Sequence, residues 1–103
     1  MAAELTVIRW RDIPAQIVAR SGRERASVEL SARFQEAIDT AATRIGLIGT
    51  DEYLAEWRRD SRPCGDDLES EARAEAARLE SSFGPDELES LAASGGLGGT
   101  GPA

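Results

Sequence analysis

The 103-residue sequence predicts an α+β fold: a three-stranded antiparallel sheet packed against two helices, followed by an acidic helical extension. Three observations carry that expectation. Short β-rich runs fill the N-terminal third. Apolar residues then switch from alternate spacing to helical spacing. Charge divides the chain, since residues 1–59 hold nine arginines and nine acids while 60–103 hold three arginines and ten acids. The net charge of −7 therefore lies wholly in the second part. The expected organisation is a core domain over 1–60, an acidic helical extension over 61–94 and a flexible glycine-rich tail over 95–103.

The first strand spans 5–10, LTVIRW. It is β-branched and aromatic, with Leu5 and Val7 on one face and Ile8 and Trp10 on the other, as in a central strand. Pro14 lacks an amide hydrogen and is expected to separate it from a second strand at 16–20. Ser21-Gly22 makes a turn. A third strand at 25–30 alternates Ala26, Val28 and Leu30 with Arg25, Ser27 and Glu29, which predicts a hairpin with the second. Ser31 is a natural N-cap for a helix over 31–45, whose stripe is Phe34, Ile38, Ala41 or Ala42, and Ile45. Gly46 ends it. Thr50 caps a helix over 51–59, with Asp51 and Glu52 in its first turn and Arg58 and Arg59 in its last, matching the helix dipole. Tyr53, Leu54 and Trp57 form its buried side.

Residues 60–66, DSRPCGD, read as a linker. A third helix over 67–83 carries a thin stripe of Leu68, Ala72, Ala76, Leu79 and Phe83. It either covers Leu5 and Val7 or projects as an arm awaiting a partner. A short fourth helix is expected over 86–93.

Composition excludes several chemistries. All 12 basic residues are arginine, and histidine is absent. Ser-His-Asp and Cys-His catalysis cannot be assembled within one chain, nor can a tetrahedral zinc site from a lone Cys64. No catalytic residue, cofactor or metal site is expected. One cysteine and no leader or membrane-length apolar run point to the cytoplasm. Nucleic-acid binding is disfavoured by the acidic balance.

Two tryptophans are each followed by arginine, at Arg9-Trp10-Arg11 and Trp57-Arg58-Arg59. The plain account makes the tryptophans core anchors and the arginines solvated neighbours with buried stems. The functional account makes Trp10, Arg11, Gln16, Tyr53, Trp57 and Arg58 a protein-interaction patch, because Trp, Tyr and Arg dominate interface hot spots. Arg9, Arg11 and Arg58 are alternatively an anion-binding fork. The acid-rich run 66–80 lacks the glycine-punctuated loop of a calcium site and reads as a solvated helix face.

RWRDIPAQIV, then RFQEAIDTAA, then DEYLAEWRR, in that order, resemble the bacterial virulence factor domain family, a domain also found within conserved virulence factor C proteins. The resemblance covers about 4–59 and leaves out the acidic extension. It implies a compact cytoplasmic domain without an assigned reaction. In longer relatives the domain lies beside one similar to the N-terminal part of iron–sulfur scaffold proteins and beside helical repeats, which implies an adaptor or assembly role.

The favoured function is a non-catalytic adaptor that binds a cytoplasmic protein. A second reading is a small anionic-ligand-binding or accessory subunit of a metabolic or iron–sulfur assembly enzyme. A third is a self-assembling structural protein, a homodimer through helix 67–83.

Overall fold

The computed structural model describes residues 3–97. The α+β class holds, with four antiparallel strands rather than three and four helices rather than two beside an extension. The strands are β1 (Ala3–Trp10), β2 (Ile13–Ser21), β3 (Glu24–Glu29) and β4 (Trp57–Cys64), in the order β3-β2-β1-β4.

β1 is central, as its two-sided apolar pattern requires. β2 begins three residues earlier than expected and takes Pro14 into the sheet. A bulge makes this tolerable: Ile8 pairs with Gln16 and Arg9 with Pro14, so Ala15 has no partner on β1. The extra residue shifts the alternation. Before it, the buried pairs are Leu5 with Ala19 and Val7 with Ile17; beyond it, Trp10 pairs with Ile13, both fully buried. Arg11 and Asp12 make the β1–β2 turn, with Arg11 at φ 53°, a left-handed conformation uncommon for arginine. The β2–β3 hairpin turns as expected at Gly22, φ 59°.

β4 is the main correction. The helix expected over 51–59 stops after α2 (Asp51–Ala55), and its expected last turn, together with the first five residues of the expected linker, forms a strand that pairs with all of β1. Its register runs from Trp10 opposite Trp57 to Ala3 opposite Cys64. The sequence WRRDSRPC lacks apolar alternation because this edge strand buries none of its side chains fully. What holds it is the open edge of β1. Thr6 and Ser61, directly opposed, share a hydroxyl hydrogen bond of 2.8 Å. The expected boundary at 60/61 therefore falls inside a strand.

α1 (Ala32–Arg44) buries Phe34, Ala37, Ile38, Ala41 and Ala42. α3 (Leu68–Ser82) lies along β2 and β3, and α4 (Pro85–Ala93) lies against α1. The thin stripe of α3 awaits no partner, since Leu68, Ala72, Ala76 and Leu79 join one core with Leu5, Val7, Ile17 and Ala19. Alanines at the contact let the helix approach the sheet closely, so a narrow stripe suffices. That stripe is therefore taken up within the chain. Two further ties fix α3. Glu75, only 5% exposed, bonds Arg78 on its own helix and Arg62 of β4. Arg33 donates to the carbonyls of Glu80 and Phe83, unpaired acceptors at the helix end.

Candidate interaction surface

The β1–β4 pairing brings the two tryptophan clusters together. Trp10 and Trp57 are cross-strand partners, and Tyr53 of α2 sits against both. Its ring centroid is 5.6 Å from that of Trp10 and 6.2 Å from that of Trp57, the latter contact edge-on at 89°. Trp10 is an anchor. It is fully buried, donates from Nε1 to the Tyr53 carbonyl at 2.8 Å, and has the Arg11 guanidinium 5.4 Å from its ring centroid. The chain also closes over it from the other end. The Asp12 amide donates to the Gly96 carbonyl at 2.9 Å, and Arg11 Nη1 donates to the Gly95 carbonyl at 3.2 Å. The start of the expected flexible tail is thus docked on Trp10; residues 98–103 lie outside the described residues.

Trp57 is different. It is half-buried and borders a hollow of about 420 Å³ with Ile8, Gln16 and Gln35. Tyr53 braces it from behind. Burial, then the Asp39 carboxylate, push the Tyr53 phenol above its usual pKa, against the Gln35 hydrogen bond. Leu54, just beyond Tyr53, is 66% exposed.

The three arginines expected to form an anion fork are each matched to a carboxylate. Arg9 Nε bonds Asp60 at 2.6 Å, Arg11 Nε bonds Glu56 at 3.1 Å, and Arg58 lies 3.8 Å from Asp12 and 3.9 Å from Glu56. Three guanidiniums thus face three carboxylates, so the charges of this cluster balance.

Strand alternation also separates Arg58 from Trp57. On a helix the two would be neighbours; on β4 they point to opposite faces, and the residue sharing Trp57's face is Arg59. Arg59 pairs in register with Ile8, which lines the hollow, and among the described residues it makes no ion pair. On the face that carries Trp57, the accessible residues include Arg59, Gln16, Ile8 and Tyr53. Trp10 lies beside Trp57 in register, and Arg11 follows it in the β1–β2 turn. Sequence reasoning missed Arg59 because it read this segment with helical period. The signal was available in DSRPC, whose proline argues against a helix ending late.

Cys64, at the end of β4, has its thiol pKa raised by burial, then by Glu71. That favours the unreactive thiol form. None of the helices among the described residues is long and apolar enough to cross a membrane.

The family model described as "Virulence factor" matches residues 8–92. The match takes in the acidic helices as well as the expected core motifs, in keeping with their common hydrophobic core. Neither the search of curated proteins nor that of solved structures returns a match.

Proposed function

The chain belongs to the virulence factor family, and from that premise we propose that it is a non-catalytic interaction module whose contact surface is the Trp57 face of the sheet. One observation carries the reading. Of two tryptophans that both pack on Tyr53, one is fully buried and the other borders a hollow near Arg59, which makes no ion pair among the described residues. A half-exposed tryptophan already fixed by an aromatic neighbour loses little freedom on binding, and so contributes more of its contact energy to affinity. Gln16 and Gln35 give the hollow polar groups for orientation. A single cysteine, which cannot form an internal disulfide, supports a partner in the cytoplasm.

The test is a quantitative affinity capture from the native cytoplasm with the wild type, a Trp57→Ala/Arg59→Ala variant and an Arg58→Ala variant. Circular dichroism first establishes that each is folded. The reading expects a protein held by the wild type and by Arg58→Ala, and reduced at least about tenfold with the double variant. Equal capture by all three removes this face from consideration.

A further inference from the structure

The free edge of β3 carries a pattern that complements itself. Arg25 and Glu29 are exposed, and among the described residues neither makes an ion pair or side-chain hydrogen bond. The cross-strand neighbour of Arg25 on β2 is Arg20, so its only direct opposite bears a like charge. Like charges directly opposed destabilise a sheet. Asp66, Asp67 and Glu69 border the same groove, but none makes an ion pair with Arg25, whose guanidinium is left open to a further carboxylate.

The same strand is open for pairing. The Leu30 amide donates inward to the Ala15 carbonyl at 3.0 Å. In an antiparallel pair, alternate residues turn both backbone groups to one side. Even-numbered residues of β3 therefore face β2, and Arg25, Ser27 and Glu29 present their amides and carbonyls outward. The opposite edge of the sheet, β4, carries Pro63, a usual guard against pairing; β3 has no proline. Beside β3 runs an open groove of about 810 Å³, bordered by the first turn of α3.

We propose that the occupant of this edge is a second copy of the same chain, paired antiparallel through β3 about a two-fold axis at Ser27. In that register Arg25 of each copy faces Glu29 of the other, and Ala26 faces Val28. Two charge pairs form on one face and two apolar pairs on the other, and the outward amides of residues 25, 27 and 29 all gain acceptors. The acidic helix starts do not collide. Asp66, Asp67 and Glu69 flank the β3 edge, while Glu80 near the far end of α3 bonds Ser31, so α3 runs in the direction of β3. A two-fold at Ser27 sends the two first turns to opposite ends of the joined edge. The result is a continuous sheet with the β3 strands at its centre. β4 and Trp57 lie at both outer sides; Glu29 also borders the hollow beside Trp57, so Arg25→Glu, at a residue that does not, separates this pairing from the proposed contact surface.

Sedimentation equilibrium tests this on the whole chain at concentrations up to ~1 mM. The wild type is expected to dimerise. Arg25→Glu and Glu29→Arg each replace two attractions by two repulsions, and each should raise the dimer dissociation constant about tenfold or more. An equimolar mixture of the two variants restores complementary pairs and should dimerise again as the mixed species. Ser27→Pro removes the central outward amide without touching a bond to β2, and should give a folded monomer by circular dichroism. A wild type that is monomeric throughout, a dimer indifferent to all three substitutions, or a monomer that instead takes up a strand of another protein along β3, overturns the proposal.

Discussion

Identical residues have opposite fates here according to what backs them. Trp10 is sealed by Tyr53, Arg11 and the turn at Gly95-Gly96; Trp57 has Tyr53 on one side and open space on the other. The seal makes a prediction. Gly96 has φ +89°, and a Cβ there would stand 2.9 Å from the Trp10 ring. Gly96→Ala should cost about 1–3 kcal/mol, read from urea midpoints. Gly22→Ala meets nothing within 4 Å, so at φ +59° only the backbone term remains, about 1 kcal/mol. Equal losses at the two sites would show that the turn does not press on Trp10. A second residue-scale prediction concerns Glu75. The Arg78 hydrogen bond, outweighing burial and helped by Arg62, holds its carboxyl below the ordinary carboxylate pKa. The unfolded chain therefore binds the proton more readily than the folded one. The contribution is fully present above the ordinary value of 4.5 and is lost as pH falls through the lower folded value. Glu75→Gln should cost about 1–2 kcal/mol at pH 7, since both arginine partners are half-exposed and solvent-screened. The gap to wild type should close on acidification below about pH 4. A gap that persists unchanged to low pH would contradict the assignment.

At the scale of elements, legibility follows locality. The β2–β3 hairpin and α1 were readable because their patterns are local: alternation around Gly22, and Phe34, Ile38 and Ala41/Ala42 at helical spacing. β4 was not readable. Its eight residues are held by pairing with β1, at the far end of the core in sequence, as in the Thr6–Ser61 bond, and an exposed edge strand needs no apolar alternation. Reading it as a helix end also grouped Trp57 with Arg58, whereas on a strand the residue sharing its face is Arg59. α3 was readable as a helix but not as part of the core. A stripe of two leucines and two alanines is thin by composition, and only the closeness of the sheet makes it enough. Leu79→Ala should therefore cost about 2–4 kcal/mol, as a core leucine does. A loss below about 0.5 kcal/mol, typical of exposed sites, would return α3 to the status of an arm.

At the scale of the molecule, one hydrophobic core joins residues on both sides of the expected boundary at 60. Tryptophan fluorescence, which reports the sheet, and far-ultraviolet dichroism, dominated by the helices, should give coincident unfolding curves. Separate transitions would mean two units. The acidic excess of the second half then lies on the outer side of α3 and α4, while both tryptophans sit at one end of the β1–β4 pair. The Trp57 face proposed as the contact surface is thus where aromatic and cationic groups occur together. The most direct measurement of this account is site-specific photo-crosslinking in the native cytoplasm, with the reactive side chain placed at position 59 or at position 58. The account predicts an adduct to one partner protein from position 59 and none from position 58, since β4 turns these neighbours to opposite faces. An adduct from position 58 alone, or the same adduct from both, would contradict it.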